Sequence, residues 1–273
     1  MVEYSRYQAL RVEKQDGVAV VTMNRPERLN AIDLEGPHNL HSELEEVFAD
    51  LNNDEEVRAA VLTGAGRAFS AGGDIRSMLD RVERGLNTAA NMKRRFRGAR
   101  RLLENMLDLE APLIAAVNGP ATGLGATLAL FCDAVIAAES ARIGDTHVWA
   151  GLVAGDGGAA IWPLLVGVHR AKLYLMTGDL LSAREAERIG LVTQVVPDDQ
   201  LMETALSLAR RLAGGPALAI SWSKMAVNKV IKHYLNLVVD TSLAWEMHTL
   251  TTQDHAEAAR AFLQKRKPQF RGE

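Results

Sequence analysis

The stretch "AFSAGGDI", residues 68–75, follows the apolar run "AAVLTG" (59–64) and precedes a charged, helix-like segment. A buried strand, a turn with paired glycines and a helix start are thereby placed in succession. The pattern recurs: "LIAAVNG" (113–119) leads into "ATGLGATLAL" (121–130). Backbone N–H groups point out of a helix start, and glycine lets another atom approach them because no Cβ intervenes. Two such turns can aim two amides at one oxygen, forming an oxyanion hole. They can equally serve close packing alone, and spacing does not decide between the two. The dinucleotide fingerprint is a poorer match: "GAGRAF" (64–69) lacks the third glycine and opens no helix.

The rest of the chain limits the classes of function. Its 273 residues are 48% hydrophobic and 24% charged, an ordinary globular composition. A net charge of −3 provides no field for nucleic acid, and no nucleic-acid partner is expected. One cysteine, Cys132, excludes an internal disulfide, and no Cys/His spacing suggests a metal. The opening "MVEYSRYQALRVEKQDG" is polar and has no apolar signal segment, and no run approaches the ~20 apolar residues of a membrane helix. A cytoplasmic protein without membrane contact is expected.

Periodicity predicts strands at 18–23, 57–64, 111–119 and 133–140, with "RVEKQDG" supplying a hairpin partner to the first. A helix is expected from Asp33, carrying Leu40, Leu44, Val47 and Leu51 on one face. Residues 74–108 read as helix with a break near Gly85, and the chain is mostly helical from Asp198 onward. The expected organisation is an α/β core over residues 1–197 and a helical oligomerisation region over 198–273.

Taken in order, "NRPERLNAID", "FSAGGDI", "AAVNGPATGLGATLALFCDAVIA", "TGDLLSAREAERIGLVTQVVP" and "FLQKRKPQF" resemble the enoyl-CoA hydratase/isomerase (crotonase) superfamily, from about Val18 to Phe270. The resemblance implies a spiral of ββα units with a C-terminal helical region, assembled as a homotrimer or a hexamer. It implies an acyl-CoA substrate, with no cofactor beyond the CoA that is part of it. It places the two oxyanion amides at Gly73 and Leu124, and an adenine contact at the backbone of Ala71. It sets Arg25 near the CoA phosphates, and Phe262 and Lys265 where C-terminal residues reach a neighbouring subunit's CoA.

Where hydratases of this family carry two glutamates, this chain has Thr127 and His147. Threonine is no base near neutral pH, so ordinary two-glutamate hydration is not expected. Asp156, nine residues after His147, can orient the imidazole and stabilise its charged form. It can also simply cap the helix that follows. A His/Asp pair of this kind resembles 6-oxocamphor hydrolase and related β-diketone hydrolases, which cleave carbon–carbon bonds without CoA. That likeness points to Glu246 as a further participant and to a small diketone as substrate. The branch's second histidine falls at Leu124 and is missing here. Three readings follow: an acyl-CoA enzyme, a CoA-independent β-diketone hydrolase, and a non-catalytic acyl-CoA-binding protein.

Other features read as quiet. "KRRFRGARR" (93–101) holds six basic residues in nine and is expected on a solvated helix face. His38 and His41 are expected at the surface or in packing, and Trp149 either beside His147 or in the core. His233, His248 and His255 suggest no partner from sequence.

Overall fold

Asp16 and Gly17, both at positive φ (52° and 79°), turn the chain between strands β1 (Leu10–Gln15) and β2 (Val18–Met23). This is the tight turn an Asp-Gly pair favours, and the strands pair antiparallel as the hairpin reading expects. The computed structural model describes residues 2–273. After the hairpin comes helix α1 (Leu40–Asn52), then β3 (Ala59–Gly64), α2 (Ile75–Glu83) and α3 (Ala89–Asp108). The expected helix from Asp33 is corrected: α1 starts seven residues later. Gly36-Pro37 prevents an earlier start, Asn39 caps Ser42, and the Asp33 carboxylate accepts from the Leu40 amide at 2.8 Å. The break near Gly85 lies between α2 and α3, as the sequence suggests.

The core continues through β4 (Leu113–Val117), β5 (Ala121–Thr122), α4 (Leu124–Leu130), β6 (Ala134–Ala138) and β7 (Arg142–Gly144). Then follow α5 (Gly158–Val166), α6 (Val168–Thr177), β8 (Leu181–Ser182), α7 (Ala183–Arg188) and β9 (Gln194–Val196). Three helices complete the chain: α8 (Leu201–Ala213), α9 (Ala217–Thr249) and α10 (Gln253–Leu263). Six strands form one sheet in the order β1-β2-β3-β4-β6-β9, parallel beyond the first pair. A smaller sheet is ordered β5-β7-β8.

Every residue of β3 and β4 is buried, as a parallel sheet covered on both faces requires. On one face α8 lays Leu201, Ala205, Ala209 and Ala213, spaced four apart, against Val61, Ile114, Ala116 and Ile136. On the other, Leu62, Ala115 and Val117 pack with Leu44 and Phe48 of α1 and Leu102 of α3. Among the described residues, no helix is long and apolar enough to cross a membrane.

The two glycine turns meet backbone to backbone. The Ser70 amide donates to the Pro120 carbonyl (3.1 Å), and the Thr122 amide to the Ser70 carbonyl (3.0 Å). A Cβ at Gly125 would stand 2.6 Å from the Ser70 carbonyl oxygen, and one at Gly72 would stand 2.5 Å from that of Thr122. Gly72 also sits at φ +76°, where a side chain is strained. We expect Gly72→Ala to lower unfolding free energy by about 1–3 kcal/mol, the range for overpacking against an unyielding neighbour. A urea midpoint unchanged from wild type would refute this account of the turn.

Candidate active site

The turn contact fixes where the two free amides point. Ile32 pairs with Gly73 as a parallel bridge through the flanking groups: Ile32 donates to the Gly72 carbonyl (2.7 Å), and Asp74 to the Ile32 carbonyl (3.1 Å). The N–H of Gly73 itself faces away from that pairing and, among the described residues, donates to no protein acceptor. Leu124 is the first residue of α4, preceded by Gly123 with no side-chain cap, and its amide is likewise unspent. Gly73 and Leu124 line one inner cavity of about 50 Å³ together with His147, Asp156 and Glu246.

His147 begins a single 3-10 turn, His147–Ala150, directly after β7. Its ring is held from both sides: Nδ1 lies 2.6 Å from Asp145 Oδ1, and Nε2 lies 3.1 Å from Asp156 Oδ2. Burial opposes charge on the ring, yet the carboxylates of Asp156 and Asp145 outweigh it and raise its pKa well above the ordinary histidine value. The two carboxylates thus favour the charged, imidazolium form of the ring. Thr127 Oγ1 donates to Asp156 Oδ1 at 3.1 Å, so each oxygen of Asp156 has its own donor.

Asp156 is not a helix cap; Gly157 occupies that position before α5 without any side-chain bond. Its loop is seated on α9, where Ser242 Oγ donates to the Gly155 carbonyl (2.9 Å). From the same helix comes Glu246, buried, with Oε2 unpartnered. Burial first, then the neighbouring Asp156 charge, push its carboxyl up to about 8, against the opposing pull of His147 and Arg95.

His147, Asp156 and Glu246 each bring one donor atom within 4.8 Å of the others. That spacing alone would also suit a metal ion. A metal there would have to displace the His147 ring proton that faces Asp156.

A wider space of about 230 Å³ adjoins the inner cavity at Gly73, Met78 and His147, and Trp149 lies in its wall, half exposed. It opens in turn, past Ala71, Gly73 and Phe262, into a surface groove of about 940 Å³. Arg28, Arg67, Arg76 and Arg84 line that groove among acidic residues. Ala71 and Phe262 thus come to the groove of their own chain. Arg25 does not line it: its guanidinium donates to the His38 carbonyl at 3.2 Å. Lys265 is exposed at the turn ending α10, outside all three spaces.

Three inner residues escaped the sequence reading. Asp145 stands two residues before His147 in "GDTH", a spacing that allowed the contact to be foreseen. His41 lines the inner cavity, buried, with its pKa lowered to about 4 by burial and the nearby Arg95 charge. Arg95 lines it too, correcting the expectation that the whole basic run faces solvent.

A family model described as enoyl-CoA hydratase/isomerase matches residues 13–273. The chain belongs to the enoyl-CoA hydratase/isomerase family. It is 38% identical to the short-chain-enoyl-CoA hydratase of Clostridium acetobutylicum, over 94% of this chain and 95% of that one. It is 37% identical to the 1,2-epoxyphenylacetyl-CoA isomerase of Escherichia coli, over 96% of this chain and 97% of that one. Its fold superposes on an enoyl-CoA hydratase/isomerase from Mycobacterium paratuberculosis with a TM-score of 0.86, at 33% identity over 93% of this chain and 99% of that structure. The α/β crotonase fold expected from the sequence is the fold observed, and the chain is an enzyme of this lyase and isomerase family.

Proposed function

We propose that this family member acts on an acyl-CoA thioester, stabilising its enolate and moving protons on its acyl chain. The observation that carries this reading is the pair of unspent amides, Gly73 and Leu124, in one cavity with three titratable side chains, His147, Asp156 and Glu246. The thioester oxygen accepts both N–H groups, which stabilises the negative charge arriving there when the α-proton leaves. Asp156 takes that proton, with the His147 imidazolium beside it, and Thr127 and Asp145 hold the pair in place. Glu246, still protonated at neutral pH, returns a proton to the chain. The groove past Ala71 and Phe262 accommodates the nucleotide end of CoA, with Arg28 and Arg67 near its phosphates.

The direct test is exchange in deuterated water. A saturated acyl-CoA should gain deuterium at the α-carbon in the presence of the enzyme, measured by mass spectrometry. The absence of both exchange and saturable CoA binding would end the proposal; binding without exchange would leave a non-catalytic acyl-CoA-binding protein.

The Glu246 carboxyl supplies a pH prediction. It is protonated in the folded enzyme up to about pH 8, whereas an ordinary carboxyl ionises near 4.5. The unfolded chain therefore binds fewer protons across that window, and this group lowers stability as pH rises through it. Activity that needs the acid should fall above about pH 8. Glu246→Gln should be slower by about 10²-fold and should lack that alkaline limb. A limb that persists in the variant belongs to another group.

One observation favours a second reading, the CoA-independent hydrolase of a small diketone: the 4.8 Å grouping of His147, Asp156 and Glu246. Cleavage of a cyclic diketone by a protein that does not bind CoA would establish it instead. A trimeric or hexameric assembly is part of the main proposal. It is supported by exposed Leu173 and Met176 on α6 and by Trp222 and Leu237 on α9. Sedimentation of the purified chain as a monomer would contradict it.

A further inference from the structure

Arg95 is a half-buried cation in the inner cavity, and one end of its fork has nothing to bind. Its Nη1 atom is shielded from solvent and has no hydrogen-bond partner. Among the described residues, no carboxylate forms an ion pair with its guanidinium. Three other arginines of the run have partners: Arg94 bonds to Asn91, Arg100 to Glu104 at 2.8 Å, and Arg101 to Glu45 at 2.8 Å. Arg95 instead turns off the solvent face of α3 and lines the inner cavity with His41, Met78, Leu124 and Glu246.

A shielded donor of a charged group is costly to leave unpaired, and each such group in a folded protein calls for a reason. The nearby acid does not pair with Arg95: Glu246 Oε2 is itself without a hydrogen-bond partner, although both side chains line the same cavity. His41 is neutral, with its pKa lowered to about 4, and so does not add a second cation. The guanidinium keeps its charge, since burial lowers its pKa only to about 10. Its planar fork suits a carboxylate held by two parallel hydrogen bonds.

We infer that Arg95 is the specificity residue of this cavity, and that the preferred acyl chain carries a second carboxylate a few atoms beyond the thioester. The inference rests on the acyl-CoA reading proposed above. The modest inner volume, about 50 Å³, sets the chain as short. The substrate class is then a short dicarboxylic acid joined to CoA through one of its two carboxyls. The free carboxylate accepts hydrogen bonds from Arg95, while the thioester oxygen accepts them from Gly73 and Leu124. Anchoring at both ends would hold the intervening carbons beside Asp156 and Glu246.

The test compares matched saturated thioesters by calorimetric titration: malonyl-, succinyl- and glutaryl-CoA against propionyl-, butyryl- and valeryl-CoA. At least one carboxylated member should bind wild type ten-fold or more tightly than its uncharged counterpart. That ratio should collapse to about one in Arg95→Gln and recover in part in Arg95→Lys, which restores charge without the fork. Equal binding of every pair by wild type overturns the inference, whether or not the variants fold. A preference that survives in Arg95→Gln also overturns it, because another group would then be reading the carboxylate. If wild type binds no CoA thioester at all, the acyl-CoA proposal fails first, and that result is distinct from equal binding of the two series.

Discussion

Replacing Asp156 by Asn is expected to slow α-proton exchange by about 10³–10⁴-fold, near the upper end of what a positioned proton-transfer group contributes. The substitution keeps the shape of the side chain and an oxygen for Thr127, which donates to it at 3.1 Å in wild type. It removes the negative charge and the acceptor that faces His147 Nε2. Of the two carboxylates that keep the imidazole charged, only Asp145 remains, so the His147 pKa should also fall. The proton that leaves the acyl chain then has no destination between the amides and Glu246. Both quantities can be read on one preparation: exchange by mass spectrometry, and ring titration by NMR of labelled histidine. A variant within ten-fold of wild type would remove Asp156 from the chemistry and leave it as a support for His147.

Asn30→Ala should unfold the enzyme more readily by about 4 kcal/mol, the sum expected when several buried carbonyls lose their donor at once. Asn30 is fully buried, and the two hydrogens of its Nδ2 are shared among the carbonyls of Ala65, Ala68 and Phe69 at 3.0, 2.9 and 3.1 Å. Its Oδ1 accepts from the Arg25 amide at 2.9 Å, and its own carbonyl accepts from Ser70 Oγ at 2.8 Å. One side chain thus fastens "NRPERLN" to the loop that carries Gly73. Asn30 also sits at φ 53°, a left-handed conformation that asparagine tolerates better than alanine. Asn30→Gly isolates the lost bonds from the backbone strain, and it should recover only the smaller share. Denaturant titration of the three proteins decides it; a loss below about 1 kcal/mol would mean that the loop is held by other contacts.

Strands were legible because burial on both faces leaves unbroken apolar runs. The first, residues 18–23, is β2 to the residue, and the other apolar runs extend one to two residues past their strands at each loose end. The start of α1 was harder to place because Asp33 and Asn39 are both cap-type residues and both bond into its first turn. The paired glycines were legible as close-approach positions, and Gly72 and Gly125 meet backbone where that reading expects it. Arg95 was not legible. In "KRRFRGARR" basic residues point in every direction around the helix, and only the walls brought by α2, α4 and α9 determine which one is enclosed. The charge on His147 was half legible. The sequence offered Asp156 as a partner, but the second carboxylate, Asp145, reaches the ring only through the way the chain enters the 3-10 turn.

Glu246 hangs from the long α9, more than a hundred residues beyond the glycine turns whose amides it faces. On the proposed mechanism, a nascent chain emerging from the ribosome would carry the glycine turns and the imidazole well before it acquires Glu246. Full activity would then arrive only when nearly the whole polypeptide has been synthesised and folded back upon itself.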